Sequence, residues 1–227
     1  WGLLLAVGVM WGSSFLLIKL AVTDFAPVTV AWLRLAFGVA VLALLPMARA
    51  PLTHRQDRWL VAALGLTWMA GPFVLFSVAE QTVDSALAGM VNGATPLFTT
   101  LVAVLWFRNR PTRTVLVGLL VGFVGVLAVT IPSAGGQANL VGIGLLLSAT
   151  VLYGIAFNMS EPLENRNGAL PVILRAQLAA LIVSTPAGAL GLVDSDPTVP
   201  SWVAIVLLGA VSTGAAFACF TLLVGRV

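Results

Sequence analysis

Ser85–Arg113 reads SALAGMVNGATPLFTTLVAVLWFRNRPTR. It opens as an apolar helix and closes in a knot of arginines. At 100° per residue, Ser85, Gly89, Asn92, Pro96, Thr99 and Ala103 share one narrow face, while Leu87, Met90, Val91, Leu97, Phe98, Leu101, Val102 and Leu105 cover the rest. The span is long enough to cross a bilayer, so the bulky residues are expected to face lipid and the small, polar stripe to face other helices or a cavity. Gly89 and Gly93 permit close backbone approach. Pro96 cannot donate to the carbonyl of Asn92, which predicts a bend beside a polar side chain. Two readings fit the stripe: the wall of a solute pathway, or a tight helix–helix seam.

The rest of the chain supports the membrane setting. Of its 227 residues, 60% are hydrophobic and 8% charged, and the mean hydropathy is +1.08. A soluble surface cannot be built from that balance, so the fold class is an all-α polytopic membrane protein. The net charge of +3 sits at span ends and does not point to nucleic acid. Cys219 stands alone, which excludes an internal disulfide or a thiol metal cluster. His54, the only histidine, reads as a solvated loop residue.

Eight apolar segments are long enough to span: Gly2–Ile18, Val28–Met47, Trp59–Ala79, Ser85–Phe107, Val115–Ile131, Leu140–Asn158, Ala169–Leu192 and Trp202–Val224. Arginines concentrate in the even loops (Arg49, Arg55 and Arg58; Arg108, Arg110 and Arg113; Arg166; Arg226). The positive-inside rule then places the N-terminus in the cytoplasm. Trp1, Trp59, Trp106 and Trp202 lie at span ends as interfacial anchors. The chain starts inside an apolar run without Met and stops after a span, so a fragment of a longer protein is expected.

Three pairs of stretches recur in the same order. MWGSSF at 10–15 matches LYGIAF at 152–157, VAWLRLAFG at 30–38 matches VILRAQLAA at 172–180, and RWLVAALGL at 58–66 matches SWVAIVLLG at 201–209, all 141 to 144 residues apart. The first unit, 1–131, holds five spans. Five is odd, so the second, 140–227, enters with opposite orientation, an inverted-topology repeat. Only three spans of the second unit are present, so the chain carries eight of an expected ten.

WGSSFLLIKLAVTDFAPVTVAWLRLAFG, followed by ALAGMVNGATPLFTTLVAVLWFRNRPTRTVLVGLLVGFVGVLAV, resembles the EamA family of the drug/metabolite transporter superfamily. The resemblance implies a ten-span carrier of the bacterial inner membrane built from two inverted five-helix repeats. It would export amino acids, other metabolites or drug-like solutes. Where the family usually has a glutamate in the fourth loop, this chain has Asn109.

Polar groups inside the spans are the candidates for function, since the membrane core offers them no water. Trp11, Ser14, Trp68, Phe76, Asn92, Tyr153 and Asn158 are the expected cavity residues. Lys19, Arg34 and Glu80 are expected either to form an ion pair that locks helices or to gate the outer mouth, and Arg175 to occupy the symmetry-related place of Arg34. Of these, Arg34 and Arg175 read as scaffold rather than substrate ligands. Gly8, Gly12, Gly89 and Gly93 are expected to pack helices, and Pro72 and Pro96 to kink them.

No paired carboxylate within a span, no Ser/His/Asp set, no metal-spaced cluster and no phosphate loop is present in the sequence, so an enzyme, a cofactor, a metal site and ATP-driven transport are not expected. The expected partners are the bilayer and a small solute, with no nucleic acid; the sequence leaves the oligomeric state open, a monomer included. The leading reading is a secondary transporter working by alternating access around a cavity lined by spans one, three, four, six and eight. The alternatives are a non-transporting fragment or a scaffold subunit of a membrane enzyme.

Overall fold

The computed structural model describes residues 1–106, 111–134 and 140–224. Arg108, Asn109, Arg110 and Arg226 lie outside the described residues. All eight apolar segments are helical: α1 (Gly2–Ala21), α2 (Pro27–Ala43), α3 (Arg55–Ala79), α4 (Ser85–Leu105), α5 (Arg113–Ala134), α6 (Leu140–Asn167), α7 (Ala169–Val193) and α8 (Val199–Leu223). Six are long and apolar enough to cross a membrane; α2 and the apolar part of α5, Arg113–Ala128, are shorter.

Several boundaries differ from expectation for local reasons. Pro27 starts α2, where a missing N–H costs nothing. The helix stops at Ala43 rather than Met47, because Pro46 forces Leu45 to extended backbone (ψ 116°); a separate turn, Pro46–Arg49, follows. Helix α6 runs on past Asn158, so Glu161 and Glu164 lie on the helix and not in a loop. Gly168, with φ 82°, makes the one-residue turn into α7.

Helix α4 is broken where Pro96 predicted, into Ser85–Asn92 and Thr95–Leu105. Leu87 and Val91 are buried against the core rather than facing lipid, whereas Met90, Leu101 and Leu105 are exposed.

Helices α3 and α8 each contain a wide π-type turn, at Leu66–Ala70 and Ala210–Ala215. In α3 the ring of Pro72 pushes away the carbonyl of Trp68. In α8 no proline stands near the turn; the Thr213 hydroxyl donates to the Leu208 carbonyl (2.8 Å) across the widened turn. Immediately before each turn a glycine meets the facing helix. A Cβ on Gly65 would lie 2.1 Å from the Ala176 carbonyl oxygen of α7, and one on Gly209 would lie 2.5 Å from Phe37 Cβ and 2.8 Å from the Arg34 carbonyl oxygen of α2. Helices α2 and α7 themselves cross in contact, with Thr29 donating to the Gly188 carbonyl (3.0 Å).

The two helix starts are capped from afar by related bonds. At the start of α8, Asp24 of the α1–α2 loop accepts from the Thr198 N–H (3.0 Å), the Thr198 hydroxyl (2.6 Å) and the Ser201 hydroxyl (2.5 Å). These bonds, that from Ser201 foremost, hold the Asp24 carboxyl down to about 2. At the start of α3, Asn167 at the end of α6 accepts from the His54 N–H (2.8 Å) and donates to Asp57 (2.8 Å). Asp57 also pairs with Arg166 (3.3 Å). Asp24 and Asn167, His54 and Thr198, and Asp57 and Ser201 stand at the same 141 to 144 residue offset as the sequence matches.

Candidate functional site

A half-open cavity of about 510 Å³ lies where α1, α2, α3, α4, α6 and α8 meet. Seven aromatic rings follow one another around it, each in contact with the next. Trp11 of α1 meets Phe217 of α8 (centroids 6.0 Å apart), which meets Trp68 of α3 (5.3 Å), which meets Phe157 of α6 (5.4 Å). Phe157 continues to Tyr153 (6.2 Å), Phe76 (5.9 Å) and Phe15 (5.5 Å). Edge-on and tilted contacts of this kind fix ring orientation. The π turn of α3 aims Trp68 inward, and it is only 4% exposed.

The wall facing the rings is the polar stripe of α4: Asn92, Thr95, Pro96, Thr99 and Thr100 line the cavity with Ser14 of α1. Their hydroxyl hydrogens are already used within the helices. Ser14 donates to the Trp11 carbonyl (2.6 Å), Thr95 to Asn92 (2.6 Å), Thr99 to Thr95 (2.9 Å) and Thr100 to Pro96 (2.8 Å). These oxygens are therefore left to the cavity as acceptors.

Six of the seven residues singled out from sequence thus border one space. Asn158 does not: its amide donates to the Thr99 carbonyl (2.9 Å) and the Gly154 carbonyl (2.8 Å), tying α6 to α4. Gly154 makes that contact close, since a Cβ there would sit 2.8 Å from the Phe98 carbonyl oxygen. Phe15, Phe157, Phe217 and Phe73 escaped the sequence-based site list. Each is one phenylalanine in an apolar helix, although Phe15 and Phe157 close the matched hexapeptides MWGSSF and LYGIAF.

Among the described residues no contact within 4.0 Å joins the Glu80 carboxylate to Lys19 or Arg34, although both cations attract it. Lys19 caps the end of α3 instead, donating to the main-chain carbonyls of Glu80 (2.6 Å) and Val83 (2.9 Å), where orphan carbonyls and the helix dipole favour a cation. Among the described residues no hydrogen-bond donor reaches either carboxylate oxygen of the enclosed Glu80. Arg34 turns to α8 and α3: its Nε donates to the Thr213 hydroxyl oxygen (2.8 Å) and its Cζ lies 3.7 Å above the centre of the Phe73 ring. Arg175 binds carbonyls of Ala48 (3.4 Å), Pro171 (3.1 Å) and Arg49 (3.5 Å), away from the cavity.

Among the packing candidates, Gly89 lies against the Phe15 ring (3.3 Å for an added Cβ). Gly93 faces only its own helix, ending its first segment. Gly8 and Gly12 meet nothing within 4 Å, because no described helix covers that face of α1. Among the described residues no group of three or more His, Cys, Asp or Glu could hold a metal ion. A second concavity of about 700 Å³ between α4 and α5 is lined chiefly by apolar side chains and glycines, Thr100 being its one hydroxyl.

Residues 1–131 match the EamA-like transporter family. The chain is 26% identical over 186 residues to an uncharacterized transporter of Archaeoglobus fulgidus, covering 82% of this chain and 66% of the relative. It is 28% identical to a probable terminal-alkyne amino-acid exporter of Streptantibioticus cattleyicolor (82% and 62%) and 33% identical to a probable amino-acid metabolite efflux pump of Salmonella typhimurium (60% and 44%). The chain thus spans about two thirds or less of the length of these relatives. A solved crystal structure shares the fold with a TM-score of 0.67 at 20% identity, over 96% of this chain and 76% of that one. With its apolar helices and this match over more than half its length, the chain belongs to the EamA-like transporter family.

Proposed function

We propose that this chain forms the solute-binding part of a secondary transporter that moves small metabolites, amino acids or drug-like solutes across a bacterial inner membrane, outward, by alternating access. The observation that carries the reading is the cavity: an arc of aromatic rings faced by a polar, broken helix, at the meeting of six helices. Apolar cavities with a few convergent polar groups are the usual form of small-molecule sites. Two relatives named as a probable terminal-alkyne amino-acid exporter and a probable amino-acid metabolite efflux pump favour the same class of solute.

We further infer two inverted units, 1–131 and 140–227, with the N-terminus cytoplasmic. Support comes from three paired features at a common offset: the π turns, the glycine contacts before them, and the caps that Asp24 gives α8 and Asn167 gives α3. The units would rock about the α2–α7 crossing. Gly154 packs against α4, whereas Gly12, its counterpart, faces open space. That difference is what a further helix, related to α4, would remove in a ten-helix carrier.

The test is flux in proteoliposomes with a panel of amino acids, aromatic amines and dyes. Trp11→Ala and Asn92→Leu should change solute preference and leave membrane insertion intact. No flux for any solute refutes transport, and unchanged preference in both variants returns the stripe to packing.

A further inference from the structure

Arg34 is the sole charged group among the described residues lining the cavity, and it is only 7% exposed. Two of its three sides are held by the protein. The flat face rests on Phe73, 3.7 Å from Cζ to the ring centre. The Nε edge donates to Thr213, whose own hydroxyl hydrogen goes to the Leu208 carbonyl, leaving its lone pair aimed at the guanidinium. The remaining edge carries Nη1 and Nη2. Among the described residues neither has an acceptor, and no carboxylate comes within 4.0 Å of the guanidinium; the ion pair formed is Arg166 with Asp57, elsewhere. Glu80 attracts the guanidinium from beyond 4.0 Å without touching it; an enclosed cation with no acid in contact is costly, and such groups in membrane proteins mark solute sites.

We propose that the free edge of Arg34 receives the carboxylate of the transported solute, in the two-pronged geometry that a guanidinium offers and an ammonium does not. The aromatic arc takes an apolar or aromatic body, and the hydroxyl oxygens of Thr95 and Thr99 can accept from an amine. The solute class is therefore a monocarboxylate with an apolar body, α-amino acids included. Phe73 and Thr213 are positioning residues that hold the fork toward the cavity. This inference rests on the transport reading and narrows it. It also reverses the sequence-based view of Arg34 as scaffold.

The test uses the purified protein in lipid nanodiscs, with quenching of the tryptophans on the arc as the signal. The probes are L-phenylalanine, 3-phenylpropanoate and L-phenylalaninamide. Both carboxylates should bind, and the amide should bind about 10- to 100-fold more weakly, the usual worth of a charged hydrogen-bonded pair. Arg34→Lys keeps the charge and loses the fork, so it should weaken the carboxylates about 10-fold and leave the amide unchanged. Arg34→Met should erase the preference, and Thr213→Val should reduce it. Equal binding of acid and amide by the wild-type protein overturns the proposal, as does a monodisperse Arg34→Lys with undiminished carboxylate affinity. Flux of amines or dyes with no carboxylate preference would sink this inference alone. No binding and no flux for any probe would sink the transport reading with it.

Discussion

Gly65 offers the sharpest quantitative handle on the fold. A Cβ at this position would stand 2.1 Å from the Ala176 carbonyl oxygen, against a floor of 3.0 Å for such contacts, so α3 and α7 must part by about 0.9 Å to admit Gly65→Ala. The obstacle is backbone on a facing helix and cannot rotate away. Overpacking of this kind costs about 3 kcal/mol, and alanine returns about 1 kcal/mol of helix propensity, a net loss of about 2 kcal/mol. Gly144 on α6 is the control, because nothing lies within 4 Å of its added Cβ. Gly144→Ala should gain about 1 kcal/mol from propensity alone. At about 2–4 °C per kcal/mol for a chain of this size, tryptophan-fluorescence melts in detergent should show Gly65→Ala roughly 4–8 °C lower and Gly144→Ala roughly 2–4 °C higher. The first variant should also shift the tryptophan emission, since Trp68 lies on the turn that follows Gly65. Equal shifts of the same sign would refute the packing argument.

Three further perturbations address the caps. Asn167→Ala removes the donor to Asp57 and the acceptor for the His54 N–H, and should cost about 2–3 kcal/mol, seen in melts and in faster proteolysis of the α2–α3 loop. Asp24 has its carboxyl held at about 2 against an ordinary 3.8. Its contribution is therefore full above about 4 and lost as pH falls through about 2; Asp24→Ala should lower the melting temperature at pH 6 and converge with the wild type near pH 2. Lys19→Met strips the cation from the carbonyls of Glu80 and Val83 and should destabilise the protein by about 1–2 kcal/mol, with a smaller effect from Lys19→Arg.

The helices, the break in α4 and most of the cavity residues were legible because they depend on apolarity, proline chemistry and helical spacing, all local. What the chain does not display locally was missed. The π turn of α8 has no proline to announce it; its cause is Thr213 reaching Leu208. Lys19 was read as a partner for the Glu80 carboxylate, but a helix end offers carbonyls nearer than that carboxylate. Arg34 looked like scaffold because a sequence shows the charge and not the Phe73 ring and Thr213 hydroxyl that turn one edge into the cavity. The lipid-facing assignment of Leu87 and Val91 failed because a wheel shows one helix alone and not Ile18, Phe76 and Leu146 of α1, α3 and α6, which share their buried cluster.

The central claim is that the aromatic cavity is open to one side of the membrane and then to the other. Cysteine accessibility measures this directly. In a Cys219→Ser background, Thr99→Cys on the cavity wall is labelled in oriented vesicles by a membrane-impermeant maleimide from each side in turn. The account predicts labelling from both sides, slowed by a saturating carboxylate solute. Labelling from one side only, unaffected by any solute that the protein carries, would contradict it.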